Sequence, residues 1–177
     1  MNGSNWKTVR SSLDKVSQRD LVGLIKEFYE LSPQNKLFLD TRFSNHEAGL
    51  EKYKLIIEKN ICPIEPWKKD VSLSTARKAI SDYKKARGDP EGLLDLMIYY
   101  CECGVNFTLE FGDIDERFYG SIESMYENAF KFLKTNPQYK DQFLQRLKQI
   151  VNNTKDIGWG FHDFLTDTFR KYCKDFY

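Results

Sequence analysis

Two stretches of this chain hold side chains that could do acid–base or metal chemistry. Asp113, Asp115 and Glu116 follow Gly112, and His162 with Asp163 ends the segment Ile157-Gly158-Trp159-Gly160-Phe161-His162-Asp163. A histidine oriented by a carboxylate is a general base, and the same residue types can hold a cation for hydrolysis. That chemistry requires the two stretches to meet at one end of the fold, within ~10 Å if water or a metal completes the site. A plainer reading also accounts for each residue. Carboxylates after Gly112 suit the positive N-terminus of a following helix, with Asp113 or Asp115 as its cap. A calcium loop would need more oxygen ligands at regular spacing. His162 falls at the edge of an apolar helix face, between Phe169 and Cys173, a place for a hydrogen-bonded structural histidine. No metal and no cofactor is expected.

Binding chemistry is concentrated elsewhere. Arg77, Lys78, Ser81, Lys84 and Lys85 lie opposite the small apolar face Ala76, Ala79, Ile80, Tyr83 and Ala86. Trp67, Lys68 and Lys69 stand just before them. Residues 67–88 carry seven basic residues against two acidic, whereas residues 89–130 carry one Arg against ten acids. This asymmetry reads either as a docking surface for phosphates, nucleic acid or an acidic partner, or as a solvated face partly neutralised by the segment beside it. The formal net charge of +1 provides no global attraction to polyanions.

Cys62, Cys101, Cys103 and Cys173 lack the paired spacing of zinc sites, and residues two apart on a helix point away from each other. They read as free thiols of a reducing compartment. Met1 to Lys15 has charges where a signal peptide needs an apolar run, and no later run is long enough to cross a bilayer. A cytoplasmic location with no membrane association follows as the expectation.

Helices must position all of these groups, because no strand alternation is present. The punctuation predicts helices over Trp6 to Val16, Ser17 to Leu31 with Ser17 and Asp20 as a capping box, Pro33 to Phe43, and Asn45 to Asn60. Pro63 and Pro66 mark residues 61–71 as a linker. Beyond it, Ser72 or Ser74 caps a helix to Arg87, and Pro90 opens one that ends at Gly112. Further helices span Glu116 to Thr135, Pro137 to Asn153 and Gly160 to Tyr177. The expected architecture is one all-α domain over residues 1–177, with N-terminal helices in 1–60 and a C-terminal core in 72–177. Eight to nine helices surround one central apolar helix, in a non-repetitive or degenerate helical-repeat arrangement.

That central element is Leu93 to Phe111. At 100° per residue only Glu91, Asp95, Glu102 and Asn106 form a polar stripe, so the helix must touch neighbours on several sides. Two amphipathic helices join it in the expected core. One presents Phe118, Ile122, Met125, Tyr126, Ala129, Phe132 and Leu133, and the last presents Phe161, Leu165, Phe169, Tyr172 and Phe176. Trp159, between two glycines, is expected to bury against this core as a clasp between the last two helices.

Three segments carry a resemblance: Ala79-Ile80-Ser81-Asp82-Tyr83-Lys84-Lys85; Phe111-Gly112-Asp113-Ile114-Asp115-Glu116 leading into Ser121-Ile122-Glu123-Ser124-Met125; and Gly158-Trp159-Gly160-Phe161-His162-Asp163. The chain resembles an uncharacterised bacterial family, a domain of unknown function found as small stand-alone helical proteins. The resemblance implies a bacterial, cytoplasmic, helical protein and transfers no catalytic residue. The leading expectation is therefore a non-enzymatic module that binds another protein, or itself, through a charged or aromatic helical surface. Nucleic-acid binding by the basic face of residues 77–85 is the alternative, and a hydrolase or metal-dependent enzyme built on the Asp/Glu/His group is the second.

Overall fold

Side-chain caps decide where the helices begin. Ser17, Ser32, Asn45, Ser72, Asp89 and Asp115 each accept a hydrogen bond from a backbone N–H of the first turn that would otherwise have no partner. Ser17 Oγ also donates to the Asp20 carboxylate at 2.7 Å, a side-chain contact in place of the backbone half of the predicted capping box. Pro33 and Pro90 occupy the first turns of their helices, where a missing N–H costs nothing.

The computed structural model describes residues 5–63 and 71–174. Among them are nine α-helices and no strand: α1 (Trp6–Leu13), α2 (Gln18–Leu31), α3 (Pro33–Phe43), α4 (His46–Ile61), α5 (Leu73–Ala86), α6 (Pro90–Phe111), α7 (Glu116–Thr135), α8 (Lys140–Asn153) and α9 (Phe161–Lys174). The all-α expectation holds. Three boundaries differ from it. α1 stops at Leu13, and turns occupy residues 14–16. Pro137–Tyr139 forms a 3-10 turn ahead of α8. Ile61 is the fully buried last residue of α4 and not the start of a linker. The predicted linker otherwise falls largely outside the described residues, as do Trp67 and Phe176.

α6 is the centre, packing against α4, α5, α7 and α8. Gly104 permits the close approach of α7, because a Cβ there would collide with Ile122. α9 closes over α7 and α8, where Phe161, Leu165 and Tyr172 are buried. The core is broader than expected: α4 contributes Tyr53, Ile57 and Ile61, and α5 contributes Ile80 and Tyr83. The polar stripe of α6 is partly enclosed: Glu91 and Glu102 are half-buried, and Asn106 is exposed. Asp95 is buried, held by Lys54 of α4 at 2.9 Å and by Arg146 of α8.

Burial is uneven along the chain. α3 rests on α4 and α5, α2 packs closely on α3 alone, and α1 packs closely on no other helix. Neither α1 nor α2 has a buried residue.

Candidate functional site

The two stretches singled out for chemistry do approach each other. Gly112 ends α6 at φ +86°, a left-handed turn that favours glycine, and Asp115 caps α7 by accepting from Phe118 N–H at 2.7 Å. Asp113 accepts from the Tyr119 hydroxyl at 3.0 Å. The Tyr119 ring lies 4.7 Å from that of Phe161, and a Cβ at Gly158 would stand 4.0 Å from Asp113 Oδ2. The loop before α9 therefore leans on the α6–α7 junction.

His162 faces another way. Its Nδ1 lies 3.0 Å from Thr154 Oγ1 and its Nε2 3.4 Å from Thr166 Oγ1, so its two ring nitrogens meet hydroxyls and no carboxylate. Asp163 is exposed in the first turn of α9. Among the described residues no three His, Cys, Asp or Glu side chains are grouped to hold a metal ion.

Trp159 departs from its expected burial: it is 69% exposed at φ +61°. The turn directs the indole outward over a groove of about 600 Å3 shared with Glu116, Arg117, Tyr119, Gly120 and Glu123. Burial pushes the Glu123 carboxyl above its usual range. The apolar anchor of this loop is Phe161, two residues further on, which is buried against Tyr119.

The basic face of α5 is less free than its composition implies. Arg77 donates from Nε to Ser121 Oγ at 3.0 Å and from Nη2 to the Ser121 carbonyl at 2.7 Å, and it stands over the Tyr100 ring. It thus bolts α5 to α6 and α7. Lys78 and Lys85 share the Asp82 carboxylate, while Lys84 is exposed. Arg87 is also engaged, donating to the carbonyls of Thr41 and Ser44.

An apolar surface on α1–α3 was not singled out in the sequence. Trp6, Val9, Val16, Val22, Leu24, Ile25, Phe28, Leu31, Phe38 and Phe43 are all exposed, Trp6, Leu31 and Phe43 by 70% or more. They are ten of the fifteen exposed large apolar side chains among the described residues. α2 and α3 adjoin, and so large a share of exposed apolar side chains on neighbouring helices is uncommon on a chain that works alone. One groove of about 620 Å3 runs between α2 and α3 past Val22, Ile25, Leu39 and Phe43. Its polar floor is Asp40, which accepts from Tyr29 at 2.9 Å and Lys52 at 2.8 Å, bonds that hold its carboxyl below the usual range. On the other side of α2 a smaller groove joins Phe28 and Phe38 to Lys78 and Lys85. The sequence signal was present in the apolar stripes of α1 and α2, but such stripes ordinarily mark core faces.

The fold and its surface define an all-α protein with a buried α6 centre and an uncovered N-terminal helical face. The chain belongs to a family of unknown function, DUF6155, which matches residues 4–171. No curated protein and no solved structure matches it. No helix among the described residues is long and apolar enough to cross a membrane.

Proposed function

We propose that this protein is a non-enzymatic interaction module that docks a protein chain on the apolar face of α1–α3. The observation that carries the reading is the concentration of exposed Trp, Phe, Leu, Ile and Val side chains on three consecutive helices. Lys78 and Lys85 rim the same face beside Phe28 and Phe38, so the basic strip of α5 becomes the polar margin of an apolar contact. The nucleic-acid reading draws less support, since Arg77 is bonded to Ser121 and two of the three lysines share Asp82. The hydrolase reading lacks a histidine turned toward the acidic junction. A reducing compartment such as a bacterial cytoplasm suits the module, because its four cysteines are free thiols.

The test is capture from a cell extract with the parent chain and with Phe28→Glu plus Phe43→Glu. Both sites are exposed, so circular dichroism should report an unchanged helix content. A bound chain held by the parent and lost by the variant is the expected result. Equal retention by both proteins would overturn the reading.

A further inference from the structure

The docking face has the layout of an isologous contact, in which one patch meets its own copy. Projected at 100° per residue, Leu24, Phe28 and Leu31 form one strip of α2, and Asp20 and Glu27, a heptad apart, border it. On the opposite border, across the groove that Phe28 shares with Phe38, stand Lys78 and Lys85 of α5. Acid, apolar strip and base therefore succeed one another across a single face. Asp82 is the one carboxylate those two lysines share, so their border keeps an excess of positive charge. Glu27 has no ion-pair partner among the described residues.

A twofold axis through the strip lays apolar on apolar and the acidic border of each copy on the basic border of the other. We infer that the occupant of this face is a second copy of the same chain, with Glu27 of each copy opposite Lys78 and Lys85 of its partner. The inference rests on the reading of α1–α3 as a docking surface. The area agrees with it. Leu24, Phe28, Leu31 and Phe38 are between 38% and 75% exposed. At roughly 200 Å2 for a fully exposed large side chain they offer roughly 400 Å2 of apolar surface. With a polar rim of ordinary share this becomes about 700 Å2 per copy, or about 1,400 Å2 in all, within the range of stable dimers. One lone copy would leave that strip in water.

The experiment is sedimentation equilibrium of the full chain from low micromolar to about 100 μM, on the parent and four variants. The parent is expected to be a dimer, and Phe28→Glu should raise its dissociation constant at least a hundredfold. Glu27→Lys and Lys85→Glu, both fully surface changes, should each weaken the dimer by roughly three- to thirtyfold, because each reversal acts at two symmetry-related places. Combining them restores opposite signs and should recover most of the loss. A dimer indifferent to Phe28→Glu, or a double reversal no better than the single ones, overturns the inference. A monomeric parent that still captures another chain through Phe28 and Phe43 overturns the inference and leaves the docking reading standing. A monomeric parent whose captured chain ignores Phe28 and Phe43 overturns both.

Discussion

The guanidinium of Arg146 forks onto the carboxylate of Glu102, its Nε and Nη2 standing 2.8 and 2.7 Å from the two carboxylate oxygens. Its remaining Nη1 reaches the buried Asp95 two turns earlier on α6. With Lys54 of α4 on the other oxygen of Asp95, Arg146 matches the two charges of the central helix's stripe that α4 and α8 cover. Arg146→Ala should cost about 2–3 kcal/mol in urea unfolding, less than for a wholly buried pair because the side chain is one-third exposed. Arg146→Lys should recover little of this, since an ammonium cannot reproduce the fork. A loss under about 0.5 kcal/mol for Arg146→Ala would refute the assignment.

The packing of α6 on α7 depends on the absence of a side chain at Gly104. Gly104→Val should destabilise by about 2 kcal/mol, the overpacking of Ile122 outweighing the better helix propensity of valine over glycine. Trimming the opposed residue, as in Gly104→Val with Ile122→Ala, should cost less than the two changes added separately. Strict additivity in thermal or urea melts would show that the helices part instead of colliding.

Near the loop before α9, two aromatic residues should behave oppositely. Trp159→Ala should change stability by less than about 0.5 kcal/mol, as for other exposed positions. Phe161→Ala should cost about 3–5 kcal/mol, because its ring is buried against Tyr119. Comparable melting shifts for the two variants would contradict the geometry.

Acid should weaken the fold partly through Asp89. Burial opposes its charge, but bonds from the Tyr83 hydroxyl at 2.6 Å, the Gly92 amide at 2.7 Å and His46 outweigh that and hold its carboxyl below the usual range. A carboxyl depressed in the folded state adds stability that is fully present above its unfolded pKa. That contribution is lost as the pH falls from about 4 through the lower folded value. Urea midpoints measured from pH 6 to pH 2 should fall across that window, and Asp89→Asn should flatten part of the fall. An identical acid profile in the variant would remove Asp89 from the account.

The four thiols should divide into two pairs under native alkylation. Burial raises Cys103 to about 12 and Cys101, fully enclosed, well above its ordinary value. Thiolate is the reactive form, so both should label only on unfolding, at least roughly a hundredfold more slowly than the partly exposed Cys62 and Cys173. Mass spectrometry of the labelled peptides distinguishes them.

Most helix starts were legible in sequence because a cap is a local event: Ser17, Ser32, Asp89 and Asp115 act on amides three residues away. The central place of α6 was legible for a related reason, as its apolar arc is too wide for one neighbour to cover. What a side chain meets across the fold is not local. Arg77 reads as a free cation beside Lys78 until Ser121, brought to it by α7, accepts its hydrogen bonds. Trp159 reads as a core residue, yet the left-handed turn between Gly158 and Gly160 leaves it outside and Phe161 inside. The stripes of α1 and α2 have the period of any buried helix face. Periodicity tells which residues share a side, but only the chain's packing decides whether a neighbour covers it, and here that packing leaves α1 and the outer face of α2 uncovered.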